Sequence, residues 1–132
     1  MAGSFSDYTE DKVLDHLVGK TSFTMPTAYI GLSTADPLDD ASGNAEPSGN
    51  NYSRVTTDGD DWDASSGGAT ANAAALTFPE ASGSWGTITH FAIWDAATVG
   101  NMLAHGDLTA SKAIGIGDTA SFAIGDLDIT LT

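Results

Sequence analysis

His16, His90 and His105 are the only imidazoles in the chain, and cysteine is absent. Metal binding and nucleophilic catalysis lean heavily on these two residue types. No two of the histidines fall at a short ligand spacing such as H-x3-H, and a thiolate site is excluded. His16 falls on a predicted helix and His105 on an outward strand position. A His90/His105 pair across a hairpin is left open by their opposite parities. Hydrogen-bonded or surface histidines are expected, with no metal and no cofactor. The stretch from Asp58 to Asp63 is rich in oxygen ligands. A helix–loop–helix calcium site counted from Asp58 would need Gly at its sixth position and Glu at its twelfth, where this chain has Asp63 and Ala69. That loop, like Asp36, Asp39 and Asp40, is expected to be solvated. There is no G-x-S-x-G, and Gly115-Ile116-Gly117-Asp118 lacks the Lys-Ser/Thr of a phosphate loop. No catalytic constellation emerges, so an enzyme is not expected. Trp62 and Trp85 are the candidate ligand contacts, because an aromatic face can stack on a sugar. A tryptophan near a loop more often anchors that loop on the core.

The charge balance narrows the partners. Four basic residues face 18 carboxylates, for a net charge of −14. Phosphate backbones are bound by Lys and Arg, so nucleic acid is not an expected partner, and an anionic membrane is no better. Such a charge favours solubility and repels like neighbours. No run of apolar residues is long enough to span a bilayer. The opening stretch lacks a basic region followed by an apolar one, so no signal peptide is expected.

The elements that must position these residues are mostly strands. The 132 residues suit a single domain over 1–132. Gly, Ala, Ser, Thr and Asp dominate, which favours turns and short strands. One helix is expected over about 7–18. Val13, Leu14, Leu17 and Val18 share a face, with Tyr8 a turn or so earlier. Ser6 or Asp7 can cap it, Asp7-x-x-Glu10 resembles a capping box, and Gly19 is a natural stop. This face either covers a sheet edge or forms an assembly contact, so Leu17→Asp is expected to harm the fold or the assembly. Tyr8, Val13, Leu14, Leu17 and Val18 are therefore the candidate assembly contacts.

Strands are expected at 27–33, 52–57 and around 74–78, with polar loops over about 36–51 and 58–72. Ile88–Trp94 reads as a central strand with Ile88, His90, Ala92 and Trp94 on one face and Phe91 and Ile93 on the other. It pairs in a hairpin with Asn101–Thr109. Near the C-terminus, Phe122 and Ile124 alternate on even positions, then Leu127, Ile129 and Leu131 on odd ones. That flip predicts a β-bulge or tight bend at Gly125, with Asp126, Asp128 and Thr130 outward. The expected fold is mostly β: a β-sandwich of about seven short antiparallel strands with one N-terminal α-helix.

The stretch Gly83-Ser84-Trp85-Gly86-Thr87-Ile88-Thr89-His90-Phe91-Ala92-Ile93-Trp94-Asp95-Ala96, followed by Gly100-Asn101-Met102-Leu103-Ala104-His105-Gly106-Asp107-Leu108, resembles a hairpin of small virion proteins of tailed bacteriophages, usually labelled tail fibre proteins. The opening helix, Ile30–Pro37, Ala45-Glu46-Pro47, Leu76–Pro79 and Gly125–Ile129 resemble the same family. The resemblance implies a virion structural protein made in the host bacterial cytoplasm. Within that family a compact domain with a leading helix suits a capsid decoration (cement) protein that stabilises the head. The major capsid protein is then the favoured partner, with self-association, a trimer first. A tail-fibre or baseplate-associated protein bound to tail proteins is the alternative, and a carbohydrate-binding domain a third. On either virion reading the charged loops 36–51 and 58–72 face solvent.

Overall fold

The structure is a computed structural model that describes residues 2–131. From the N-terminus it runs β1 (Ala2–Phe5), α1 (Asp7–Leu17), β2 (Tyr29–Ser33), β3 (Val55–Thr56), a 3-10 turn at Gly59–Asp61, β4 (Ala69–Ala71), β5 (Leu76–Thr77), β6 (Gly86–Trp94), β7 (Met102–Ile114), β8 (Ser121–Phe122) and β9 (Asp128–Thr130). Seven strands form one curled sheet in the order β3-β2-β6-β7-β1-β9-β4, and β5 pairs with β8 in a second. Leu76, Phe78 and Phe122 from the small pair meet Ile30, Leu32, Phe91 and Ile93 from the large sheet in a common core. The fold is therefore mostly β and sandwich-like, with one helix.

Several details differ from the pattern read in the sequence. β1 was not among the expected strands. It is short, begins at Ala2 and holds Gly3, so hydrophobic alternation gives it no signal. It pairs antiparallel with β7 and parallel with β9, so the sheet is not wholly antiparallel. The stretch 58–72 is not one loop, because it contains the 3-10 turn and β4. Ile88 does not share a face with Ala92 and Trp94. It lies in the main core with Phe91 and Ile93, whereas Ala92, Trp94 and Met102 form a second cluster. The cause is a register shift between Ile88 and His90: Ile88 pairs with Lys112, but His90 pairs with Asp107. An irregularity of this kind interrupts the period of two.

The bend at Gly125 is present, with φ +81°. It carries the chain from β8 in the small sheet to β9 in the large one. Asp126 is exposed, Leu127 is fully buried, and Asp128 and Thr130 are half-buried. Asn72 fixes this corner. Its amide donates to the carbonyls of Ala74 and Ala123 at 2.9 Å, and its Oδ1 accepts from the Leu127 amide at 2.9 Å.

Helix α1 is capped by Ser6, whose hydroxyl accepts from the Thr9 amide at 3.2 Å. The Asp7/Glu10 box is not the cap. Gly19 follows the helix with φ +80°. Besides Tyr8, which packs against the core, polar contacts tie α1 to the sheet: the Ser6 hydroxyl donates to the Met102 carbonyl, and the Thr9 hydroxyl donates to the Leu103 carbonyl at 2.8 Å. These carbonyls sit where the β6/β7 register shifts between Ile93 and Trp94.

Candidate functional site

The helix docks through Ser6, Thr9 and Tyr8, which packs against the core, and Leu14, Leu17 and Val18 are left exposed. At about 100° per residue, Leu14 and Val18 lie about 140° and 180° round the helix from Thr9, the buried residue of α1, and Leu17 about 80° from it. Leu14 is 57% exposed, Leu17 76% and Val18 70%. Val13 and Tyr8 are half-buried, and Tyr8 meets Phe23 edge-to-face with centroids 6.5 Å apart. The reading of an apolar face covering a sheet edge is corrected: Ser6 and Thr9 satisfy the carbonyls of β7, and the apolar strip is left outward. Because Leu17 contacts no core, Leu17→Asp should change unfolding stability by no more than about 0.5 kcal/mol, as a urea titration followed by circular dichroism would show.

The histidines each have a local partner. The Phe23 amide donates to Nδ1 of His16 at 3.1 Å. His90 Nε2 lies 2.8 Å from Asp107 Oδ1. His105 Nε2 lies 2.7 Å from Asp39 Oδ1, and its Nδ1 is 4.0 Å from Asp36 Oδ1. His90 faces Asp107, and His105 faces Ala92, across the same hairpin. Both imidazoles therefore lie on one face despite their opposite parities, because the register sum is odd. Among the described residues no group of three or more such side chains is placed to hold a metal ion. His105 instead pins the 36–40 loop to β7, with the Asp7 amide donating to the Asp39 carbonyl at 3.0 Å. His105→Ala should cost no more than about 1 kcal/mol, as expected of a partly exposed pair. It should also speed amide hydrogen exchange in residues 36–41 relative to the rest of the chain.

The tryptophans are mainly anchors. Trp85 is 4% exposed and belongs to the core. Its indole N–H donates to the Asn50 carbonyl at 2.9 Å, so no face is open to a sugar. Trp62 is half-buried and donates to the Thr57 hydroxyl at 3.0 Å. Asp58, Asp60 and Asp63 are exposed. Asp58 caps the 3-10 turn, and Asp61 returns a bond to the Asp58 amide.

A buried ionic network went unnoticed in the sequence. Arg54, whose side chain is only 4% exposed, forms a two-point pair with Glu46, Nε to Oε2 and Nη2 to Oε1, each at 2.8 Å. Its Nη1 donates to the carbonyls of Ala96 at 2.7 Å and Val99 at 2.9 Å. The guanidinium lies 4.3 Å from the Trp94 ring centroid, a favourable cation–π stack. Tyr52 donates its hydroxyl to Glu46 Oε2 at 2.6 Å and accepts from the Leu32 amide at 2.9 Å. Burial, then the bond to Glu46, raises the Tyr52 phenol above its ordinary range, so it stays a neutral donor. The network joins loop 36–51, β2 and the β6–β7 turn. The available signal was the scarcity of cations: only four exist in the chain, and one of them falls in the expected strand 52–57.

An apolar recess of about 400 Å³ opens beside the long β7, lined by Leu32, Ile88, Leu108, Ile114 and Phe122 with Lys112 at its edge. No described helix is long and apolar enough to cross a membrane. The surface presents an outward apolar helix face, a clamped hairpin turn and acidic loops.

No curated protein matches the chain. A family model, described as podophage GP4 fiber I protein gp80, matches residues 4–130. The match spans α1, the β6/β7 hairpin, the Arg54 network and the C-terminal strands. It agrees with the resemblance carried by 83–108, and it favours the tail-fibre alternative over capsid decoration. The chain belongs to the podophage GP4 fiber I protein gp80 family, a family of bacteriophage structural fibre proteins.

Proposed function

We propose that the chain is a non-catalytic structural domain of a podophage tail fibre, a module attached along or at the end of the fibre rather than a repeating part of its shaft. The observation that carries this reading is the family match over residues 4–130. The sheet supports the choice of module over shaft. A shaft grows by adding strands or repeats, which needs open edges. Here the β4 edge is covered by its own preceding segment, with Asp63 N donating to Ala71 O and Ser66 N to Ala69 O, both at 2.9 Å. The opposite edge, β3, is two residues long. The side chains that most resembled chemistry are spent on the fold, as with His105 on Asp39 and Trp85 on Asn50. With tail proteins as its partners, the domain then travels in the virion.

Quantitative mass spectrometry of purified particles, together with antibody labelling under the electron microscope, tests the proposal. A low copy number relative to the major capsid protein and label on the tail are expected. Hundreds of copies with label over the head would overturn it in favour of capsid decoration.

A further inference from the structure

The outward strip of α1 is the strongest unexplained surface. Leu14, Leu17 and Val18 are 57–76% exposed, with Leu14 and Val18 on the side away from the Thr9 hydroxyl that holds the helix on β7 and Leu17 on the flank. Met25, in the segment after the helix, is also exposed. It shares a shallow recess with Tyr8 and Lys12 of α1. An amphipathic helix normally turns its apolar face to the core of its own domain. Here that face is committed elsewhere, and the cost of exposing it is recovered only on contact with another surface.

The charges around the strip select its occupant. Glu10, Asp11 and Asp15 are exposed and border Leu14, Leu17 and Val18. The cation within α1, Lys12, is half-buried on the sheet side, with its ammonium 5.5 Å from the Tyr8 ring centroid. It does not offset the carboxylates of the outer face, and Lys20, exposed just past Gly19, offsets at most one of the three. A second copy docked helix to helix would oppose two such acidic borders, on chains that each carry −14. Like charges placed opposite one another penalise that pairing, and opposite charges steer the right partner in.

We infer that the outer face of α1 is the docking surface for a different virion chain. The partner element is an amphipathic helix whose apolar stripe is bordered by Lys or Arg. Apolar contact with Leu14, Leu17 and Val18 supplies the buried centre, and Glu10, Asp11 and Asp15 meet the cations at the rim. This inference rests on the reading of the chain as a virion component, but not on its place in the tail.

Photo-crosslinking in whole particles tests it. Benzoylphenylalanine in place of Leu17 should cross-link to another virion chain, within a segment that combines apolar residues with Lys or Arg. The same group in place of Ile116, an exposed apolar residue on a distant stretch of the chain, should give at most a tenth of that yield. The double variant Leu14→Gln/Leu17→Gln should unfold at the same urea midpoint yet enter particles at least tenfold less. Cross-links to a second copy, to a segment without cations, equally from position 116, or to nothing would each overturn the inference. So would normal incorporation of the double variant. A cross-linked partner from the head would leave the docking surface standing and overturn the fibre assignment instead.

Discussion

Arg54→Ala lowers the unfolding free energy by about 3–5 kcal/mol, the range for removing one partner of a buried ion pair. Arg54 makes four hydrogen bonds, two to Glu46 and two to the carbonyls of Ala96 and Val99. Its removal leaves the half-buried Glu46 carboxylate without its counter-charge and two turn carbonyls without their donor. The stack on Trp94 is lost with it. Arg54→Lys recovers little, because an ammonium cannot hold a carboxylate at two points while reaching two carbonyls and stacking on an indole. The paired change Arg54→Met/Glu46→Leu recovers part of the loss, since the uncompensated charge goes with the pair. It does not recover all of it, because Tyr52 loses its acceptor. Urea unfolding followed by tryptophan fluorescence measures each step. Equal stability of Arg54→Ala and the native chain would show that the pair is solvated.

The same clamp holds the tip of the long hairpin. Val99 has φ +56°, a conformation that costs a β-branched residue dearly, and its carbonyl is one that Arg54 holds. Amide exchange at residues 96–100 should therefore accelerate in Arg54→Ala more than in any variant of equal stability changed elsewhere.

The parts of this molecule that could be read from the sequence are those with a regular period. The β6/β7 hairpin, the face Ile30/Leu32, the pair Leu76/Phe78 and the helix span all announce themselves by alternation or by 3.6-residue spacing. The turn at Gly125 was legible because parity flipped there. The register shift at Ile88/His90 was not, because its extra residues lie on β7, where Thr109, Ala110 and Ser111 carry no apolar pattern. Period alone also misplaced the outer face of α1. Periodicity says that Leu14, Leu17 and Val18 share a side, but not whether that side meets the chain's own sheet. The short hydroxyls Ser6 and Thr9 decided it by capturing the carbonyls of Met102 and Leu103. The Arg54–Glu46 pair joins residues from a loop and a strand approach whose proximity exists only in the folded chain.

Gly106→Ala should cost about 3 kcal/mol, the upper end for overpacking a tight site, and Gly3→Ala less. The two glycines face each other across β1 and β7, and the fully buried Phe91 ring lies over both. A methyl at Gly106 would stand 2.6 Å from the Ala2 carbonyl oxygen, 2.9 Å from the Gly3 Cα and 2.9 Å from Phe91 Cε1. Two of these three neighbours are backbone and cannot move without parting β1 from β7. A methyl at Gly3 would stand 2.8 Å and 3.2 Å from Phe91 Cζ and Cε2, and 3.0 Å from the His105 carbonyl oxygen. Most of that crowding is one aromatic ring. Phe91→Leu removes the ring edge and should relieve Gly3→Ala while leaving Gly106→Ala as damaging as before. A double-mutant cycle then gives a coupling above about 0.5 kcal/mol for Phe91 with Gly3, beyond the scatter of independent sites, and a smaller one for Phe91 with Gly106. Additivity in both cycles would mean that the ring does not rest on a glycine floor. The consequence reaches the proposed docking surface, because β1 leads through Ser6 straight into α1 and bridges β7 to β9. A chain in which β1 has slipped presents Leu14, Leu17 and Val18 on a helix no longer fixed to its sheet. Gly106→Ala should therefore lower incorporation into particles even at temperatures where the remaining sheet stays folded.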